Sequence, residues 1–465
     1  MKQISKWLIF AFVAIAQFMV VLDVSITNVA LPSIQHELGF TISSLQWVIT
    51  AYVLSFGGFL LLGGRAADLF GRRRMLLIGI VAFTICSLLI GLTESSVMLV
   101  TLRALQGVAA AFMSPAALST VLVTFRDGSE RNKALGFWTL VATGGASIGL
   151  LLGGILTQYL GWRWDFFVNV PVGIIMIFLI ARFVPAYENK EKQGTVDVPG
   201  ALLVTSGLMS LVFALSQAQS WGWLSLQTLV VLASSIALLI GFVVRESKAR
   251  HPIMPLSIFS IRNVSGANLI MMPLYATMIG TIFLLTVYVQ GILHYAPVVT
   301  GLCFLPFPVL IGVMSAKIPK LVARLGFRRF LVAGPLVIAL SLLWLSRLPV
   351  EGSYFIDILP TLILMPLGIG MTIMPVVAAA TSGVPPEESG LASGLVSTSQ
   401  QLGGALGLAI LLSVAAAVTA GLAQGPMATV SGFHAAFLVD IAFMLIAAGV
   451  AVFVIRDKKR LLYDQ

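Results

Sequence analysis

Long apolar runs separated by short polar segments dominate the sequence. A membrane-crossing helix needs about 20 mostly apolar residues, and the pattern predicts fourteen such helices. They are predicted to begin near Trp7, Ser44, Met75, Val97, Lys133, Trp164, Val198, Leu226, Val264, Val299, Phe330, Ile356, Leu391 and Phe433. Strands of a membrane barrel would instead alternate apolar and polar positions. We therefore expect an all-α polytopic membrane protein with fourteen transmembrane helices.

The first apolar run follows Lys2 and Lys6, as the apolar core of a secretory signal peptide would. The run is longer than such a core and lacks a small-residue cleavage site. We expect it to be retained as the first span.

The overall composition excludes a soluble protein. Of the 465 residues, 58% are hydrophobic and 10% are charged, against about 45–50% and 25% in soluble domains. So few charges could not cover a water-facing surface, and disorder requires low hydrophobicity. The composition therefore favours a chain that is buried in a bilayer.

The distribution of basic residues predicts the topology. If the N-terminus is cytoplasmic and the fourteen spans alternate, all of the 28 lysines and arginines except Arg103, Arg163 and Arg347 lie on the cytoplasmic side. Both termini are therefore expected in the cytoplasm of a cell-membrane protein. The net charge of +10 is then matched by anionic lipid headgroups, and no nucleic-acid partner is expected.

No motif in the sequence indicates a cofactor, a metal or an enzyme. Cys86 and Cys303 lie inside separate apolar runs, and the four histidines lack metal-ligand spacing. There is no phosphate-binding loop for ATP. Neither a channel filter nor a convergent catalytic cluster is visible, so we expect a transporter that is driven by an ion gradient or by its substrate's own gradient.

Two similar loops predict an internal repeat. Residues 65–74 (RAADLFGRRR) follow the second predicted span, and residues 320–329 (KLVARLGFRR) follow the tenth. Parallel repeats of this kind build many transporters. We expect pseudo-twofold halves in a 6 + 2 + 6 arrangement, with six helices in 1–185, two extra helices in 186–262 and six helices in 263–465.

Five segments resemble motifs of the major facilitator superfamily and of its fourteen-span drug:proton antiporters. They are 22–32 (LDVSITNVALP), 64–73 (GRAADLFGRR), 99–107 (LVTLRALQG), 162–173 (WRWDFFVNVPVG) and 401–407 (QLGGALG). The resemblance covers essentially the whole chain. It implies a proton-coupled multidrug efflux antiporter, acting as a monomer, that exports amphipathic and often cationic toxic compounds by alternating access.

The cytoplasmic loop after the second span contains candidate latch residues. Gly64 and Gly71 would allow a tight reversal, and Asp68 would cap a helix or pair with Arg72 or Arg73. The resemblance implies a latch that holds one conformation. The alternative is a basic loop that only sets topology.

Asp23 is the strongest single candidate for a functional residue in the sequence. It precedes Pro32 by about 9 residues, which predicts a depth of about 13 Å from the outer end of the first helix. A carboxylate there costs about 2.5–3.5 kcal/mol to insert, so a coupling or substrate site is the default hypothesis. The alternative is a structural polar knot with Ser25, Thr27 or Asn28.

Arg103 and Asp440 are the other charges predicted inside spans. Arg103 is expected about 9 Å deep and Asp440 about 10 Å deep, so Arg103 and Asp23 could pair directly. Arginine keeps its proton, and the resemblance implies that Arg103 assists proton transfer; a structural tie to Gln106 is the alternative. Asp440 is either a second proton or cation site or an acid satisfied by a local hydroxyl. Asp165 is expected at a water-reached span end.

The fifth span contains closely spaced glycines that would let another helix approach. These are Gly145, Gly149, Gly153 and Gly154. The antiporter motif of the family resembles Gly-Pro-x-x-Gly-Gly, but Leu150 stands where that motif has the proline. This departure leaves open a transporter for one specific metabolite, in either direction.

A cavity for a lipophilic cation would use aromatic faces, thioethers and amides. The candidate residues are Asn28, Tyr52, Met113, Trp138, Tyr275, Tyr288 and Gln290. The alternative for each of them is ordinary packing or a place in the interfacial aromatic belt.

Overall fold

The structure is a computed structural model, and it describes residues 5–125, 128–185, 197–248, 256–382, 384, 389–423 and 425–456. Within these ranges every regular element is helical. The α-helices are α1 Lys6–Leu38, α2 Ile42–Leu45, α3 Trp47–Phe70, α4 Arg72–Leu92, α5 Ser96–Thr124, α6 Gly128–Tyr159, α7 Trp164–Phe167, α8 Asn169–Phe183, α9 Val198–Trp221, α10 Leu226–Lys248, α11 Arg262–Val287, α12 Pro297–Phe304, α13 Pro306–Leu325, α14 Arg328–Leu345, α15 Leu359–Thr381, α16 Ser389–Ala420 and α17 Pro426–Phe453. A 3₁₀ turn spans Leu256–Ser260, and π-helical turns span Tyr288–Ile292 and Tyr354–Ile358.

Eleven helices among the described residues are long and apolar enough to cross a membrane. Two shorter apolar stretches, Trp47–Leu60 and Leu202–Leu215, lie in α3 and α9. The protein is therefore an all-helical, multi-pass membrane protein. The predicted ends of two spans were wrong: α1 continues through Pro32 to Leu38, and α17 begins at Pro426, ahead of Phe433.

The helices pack into two groups around one continuous apolar core. In the N-terminal group, α3 and α4 pack on α5 while α1 packs on α6; in the C-terminal group, α11 packs on α16 while α14 packs on α15 and α17. Buried apolar side chains of both groups form a single cluster. Burial of this kind stabilises by about 25 cal/mol per Å² of apolar surface removed from water, although lipid removes that driving force where helices meet inside the bilayer.

The two loops of the predicted repeat turn in the same way. Gly71 separates α3 from α4 with φ of 95°, and Gly326 separates α13 from α14 with φ of 82°. Both φ values lie in the region that only glycine adopts without strain. The two glycines therefore give the matching loops of the two groups the same backbone requirement.

The helix pair α9 and α10 lies between the two groups in sequence and contacts both of them. Asp197 caps α9 by accepting from the Gly200 N–H, and Arg245 of α10 donates Nε to its Oδ1 at 2.8 Å. Thr205 Oγ1 donates to the Gly58 carbonyl at 3.0 Å, and Ser413 Oγ donates to the Leu215 carbonyl at 3.3 Å. The α9 helix thus lies along the seam between α3 and α16.

The two groups meet at the end of the helices where Glu37 lies, which we call the Glu37 end. Gln290 Nε2 donates to the Val29 carbonyl at 2.9 Å, and the Val298 N–H donates to Gln158 Oε1 at 3.3 Å. The two groups are therefore in direct contact at the Glu37 end in this conformation.

Candidate functional site

A buried ion pair joins α1 to α5 inside the N-terminal group. Arg103 Nη1 donates to Asp23 Oδ2 at 2.5 Å, and each of the two residues is 1% exposed. Gln106 Nε2 donates to Asp23 Oδ1 at 3.0 Å and to Ser87 Oγ at 2.9 Å. Asn169 Nδ2 also donates to Asp23 Oδ1, at 3.2 Å. Both oxygens of Asp23 are therefore occupied by donors of its own helix group.

Arg103 has partners that do not depend on Asp23. Its Nε donates to the Val48 carbonyl at 3.0 Å, and its Nη1 donates to Gln106 Oε1 at 2.6 Å. The guanidinium carbon also lies 4.3 Å from the centre of the Tyr52 ring, a cation–π contact worth about 2 kcal/mol when it is desolvated. The guanidinium would thus retain stabilising contacts if Asp23 took up a proton and became neutral.

The sequence predicts the two charges at similar depth, but not the two polar residues that complete their network. Asn169, which contacts Asp23, and Ser87, which contacts Gln106, are absent from the predicted functional residues. The available signal was an amide or a hydroxyl inside an apolar run, which marks a candidate partner for a buried charge. The predicted depth of Asp23 was also wrong, because α1 extends past Pro32 and places Asp23 about 22 Å from its end at Leu38.

A second polar cluster lies at the Glu37 end of the N-terminal group. Trp162 Nε1 donates to Glu37 Oε2 at 2.7 Å, and Arg163 forms a salt bridge with Glu37. Arg163 Nη2 also donates to the Thr93 carbonyl at 3.1 Å. The expectation that water reaches Asp165 was wrong, because Asp165 follows this cluster in the chain and is only 1% exposed.

Asp440 lies fully buried between α17 and α11. Thr277 Oγ1 donates to its Oδ1 at 2.9 Å and Thr281 Oγ1 donates to its Oδ2 at 3.2 Å. Within the described part of the chain Asp440 has no salt bridge. It lies about 14 residues into α17, roughly 21 Å from the start of that helix, deeper than predicted, because α17 begins earlier. The two hydroxyls can form hydrogen bonds with Asp440 in either its neutral or its ionised form.

The predicted latch residues lie around the turn between α3 and α4. Gly71 makes this turn, whereas Gly64 lies inside α3, so its predicted part in the reversal was wrong. Arg73 donates Nη2 to the Ala181 carbonyl of α8, and the Arg72 side chain is partly exposed. The side chain of Asp68 lies outside the described residues. The latch hypothesis stays a prediction.

The glycines of α6 face two different neighbours. A Cβ on Gly149 would lie 2.6 Å from Ser25 Cβ, and one on Gly153 would lie 2.9 Å from Ile26 Cα, so both glycines allow α1 to approach. Gly145 also faces α1, at Phe18 and Val21. A Cβ on Gly154 would instead lie 2.8 Å from the Pro297 carbonyl oxygen of the C-terminal group. The α6 helix therefore packs within one group and across the seam between the two.

The predicted cavity residues are distributed over several environments. Those held in packed or bonded positions are Asn28, bonded to the Val24 carbonyl; Tyr52, beneath Arg103; Met113, 0% exposed; Tyr288, bonded to the Pro349 carbonyl; and Gln290, bonded to Val29. Trp138 and Tyr275 are partly buried beside the apolar core. Their use by a substrate stays a prediction. No cluster of histidine, cysteine or acidic side chains that could hold a metal occurs among the described residues.

Comparison with known proteins shows similarity along nearly the whole chain. Residues 13–408 match the profile of the Major Facilitator Superfamily. The puromycin resistance protein pur8 of Streptomyces alboniger is 40% identical over 98% of this chain and 92% of its own. The cephamycin export protein CmcT of Amycolatopsis lactamdurans is 40% identical over 93% of this chain and 89% of its own.

A solved transporter has a similar fold at low sequence identity. The POT family transporter PepTSo superposes with a TM-score of 0.69 at 17% identity, over 96% of this chain and 98% of the other. At that identity the likeness concerns the fold alone.

Proposed function

The chain belongs to the Major Facilitator Superfamily, and from this premise we propose that it is a proton-coupled multidrug efflux antiporter of the cytoplasmic membrane. Its substrates would be amphipathic, often cationic, toxic compounds. The names of the two relatives, a puromycin resistance protein and a cephamycin exporter, support drug export. The buried Asp23–Arg103 pair carries the proton-coupling part of the proposal.

We place fourteen spans in the membrane, with both termini in the cytoplasm. Besides the eleven helices that meet the length and hydropathy requirement, α3, α6 and α9 would also cross the membrane, because each of them runs beside helices that do. The chain is then divided into six helices, two extra helices and six helices. The Glu37 end then faces outward, and the conformation described above is closed to the outside.

The proposed cycle depends on a change of charge at Asp23. A proton from the outside neutralises Asp23, so Arg103 keeps Val48, Gln106 and the Tyr52 and Phe166 rings as partners. The α1 and α5 helices can then shift relative to each other while drug leaves outward. Loss of the proton to the cytoplasm restores the pair and resets the cycle. Because both Asp23 oxygens are occupied here, Asp23 acts through Arg103 and does not hold the drug directly.

We expect an imposed proton gradient to drive a cationic dye into everted membrane vesicles that contain the protein. Ethidium is a suitable probe, and an acid vesicle interior corresponds to the outside of the cell. Asp23→Asn removes the titrating carboxyl but keeps its shape, so gradient-driven uptake should fall at least about a hundredfold. If ethidium uptake by wild-type vesicles did not depend on the proton gradient, the antiporter function would be refuted. If Asp23→Asn left the uptake unchanged, the coupling role of Asp23 would be refuted.

Asp440 is proposed as the second proton site, which would set the number of protons per drug. Exchange of two protons for one monovalent cationic drug moves net charge, whereas exchange of one proton does not. We expect Asp440→Asn to keep uptake driven by a pH difference but to lose the response to membrane potential. Valinomycin-imposed potentials across proteoliposomes would measure this. A potential response equal to that of the wild type would assign Asp440 a structural role.

One observation supports a second candidate, a transporter for a single metabolite. Leu150 stands where the antiporter motif has proline, and its carbonyl faces Gly301 across the seam between the helix groups. A panel of structurally unrelated compounds in the same vesicles separates the two candidates, since transport of only one compound would favour the specific exporter.

A further inference from the structure

Asp165 occupies an unusual position for an acid near the end of a span. It is the second residue of the short helix α7 and is 1% exposed. Thr157 Oγ1 donates to its Oδ2 at 2.6 Å, but among the described residues its Oδ1 has no hydrogen-bond partner. A buried polar atom without a partner costs about 1–3 kcal/mol. A purely structural acid would be expected to have both oxygens satisfied.

Asn169, one helical turn further along the chain, also has a buried oxygen without a partner in the described part of the fold. Asn169 Nδ2 holds Asp23, while Asn169 Oδ1 also has no partner among the described residues. Residues four apart are neighbours on a helix surface, and Val168 between α7 and α8 keeps helical φ and ψ angles. A proton on Asp165 Oδ1 would turn that atom into a donor, one helical turn from the unpaired acceptor Asn169 Oδ1. The fold can therefore accommodate Asp165 in its protonated form.

The surroundings connect Asp165 to water on one side and to the ion pair on the other. Arg163 and Glu37 at the Glu37 end have side chains that are 29% and 48% exposed. Near α7, the titratable and charged groups on the elements packed against it are Asp23, His36 and Glu37 of α1, Cys86 of α4, Arg103 of α5, Tyr159 of α6 and Arg163 itself. The other charged residues of these helices, from Lys6 of α1 to Arg182 of α8, lie at the opposite helix ends. Glu37 and Arg163 are thus partly exposed, whereas Asp165, Asn169, Asp23 and Arg103 are each 1% exposed, and Asn169 contacts Asp23 directly.

We propose that Asp165 takes up protons from the outside and passes them to Asp23, with Asn169 as the positioning residue between the two acids. The inference rests on the proposed antiporter function. An external proton forms the O–H bond of Asp165. That bond then breaks as a water molecule between the two acids accepts the proton and gives one to Asp23. Asp165 returns to a carboxylate, Asp23 becomes neutral, the water is regenerated, and Arg103 stays charged.

The test compares Asp165→Asn with the wild type in everted vesicles, using ethidium. We expect gradient-driven uptake to fall about a hundredfold, while ethidium–ethidium exchange, which needs no net proton movement, stays close to that of the wild type. Asp165→Glu should restore most of the gradient-driven rate. Asp357→Asn is the matched control, because Asp357 lies at the same end and its Oδ2 accepts from the Ser353 N–H. That control should match the wild type in both assays.

Three outcomes would overturn the proposal, and they differ from one another. Gradient-driven uptake by Asp165→Asn with the rate and pH dependence of the wild type would show that this carboxyl carries no proton. Equal loss of exchange and of gradient-driven uptake would make Asp165 a structural residue. Wild-type vesicles that show no gradient-driven uptake would refute the antiporter function itself, and the relay with it.

Discussion

Arg103→Gln should both destabilise the protein and abolish gradient-driven export. The change leaves the Asp23 carboxylate buried without its charge partner, and breaking a buried pair in this way costs about 3–5 kcal/mol. The melting temperature of the purified protein should therefore fall by several degrees. Ethidium uptake should fall at least about a hundredfold, because Asp23 has lost the charge whose release drives the cycle.

The double variant Asp23→Asn with Arg103→Gln separates stability from transport. With both charges gone, no unpaired charge remains buried, so the melting temperature should recover towards that of the wild type. Uptake should not recover, because no titrating carboxyl is left in the pair. Arg347→Gln is the control, since Arg347 is exposed and lies outside the network. Recovered transport in the double variant would show that the pair is a structural tie and nothing more.

Gly154→Ala should open the seam between the two helix groups at the Glu37 end. The new Cβ would lie 2.8 Å from the Pro297 carbonyl oxygen and 2.8 Å from Val298 Cα. These are backbone atoms, so they cannot swing aside as a flexible side chain would. The helix groups must separate there, and the equilibrium should shift towards a conformation that is open at this end. Drug uptake driven by a gradient should fall, because the closed state becomes difficult to reach.

Cysteine labelling from outside the cell can detect this shift. Thr300 is fully buried one residue before Gly301, which faces the Leu150 carbonyl, so Thr300→Cys in a chain without Cys86 and Cys303 would report on the seam. We expect Gly154→Ala to raise its labelling rate by a membrane-impermeant maleimide about tenfold. Gly144→Ala is the matched control on the same helix, because a Cβ there meets nothing within 4 Å. Equal labelling in the two variants would contradict the prediction.

The sequence was most informative where a single residue type carries a large energetic cost. Charges at Asp23 and Arg103 stand out in apolar runs because insertion into a bilayer is expensive, and the glycine at position 71 stands out because the turn requires a positive φ. The rotation of a helix about its axis is not encoded so locally. The contacts of Asn169 with Asp23 and of Ser87 with Gln106 therefore depend on how the helices pack.

The errors at Pro32 and Asp165 have a common physical cause. Both predictions assumed that a span ends where the apolar pattern weakens. Proline within a helix removes one hydrogen bond, but α1 continues past Pro32 because its buried residues Ile34 and Leu31 still pack against neighbours. The longer helix brings Glu37 into contact with Trp162 and Arg163. This cluster helps to cover Asp165. Tertiary packing thus determined the burial of Asp165, and the local pattern did not.

The position of α9 makes the protein asymmetric towards the surrounding lipid. The α9 helix lies along the seam between α3 and α16, and the outer face of its partner α10 exposes apolar side chains such as Leu229, Val230 and Ile240. Acyl chains therefore contact this helix pair where they would otherwise reach the seam. The other seam, between α6 and the helices α12 and α13, has no such cover from the pair. In the described part of the fold, the two seams between the helix groups therefore differ, because a helix pair separates only the first of them from lipid.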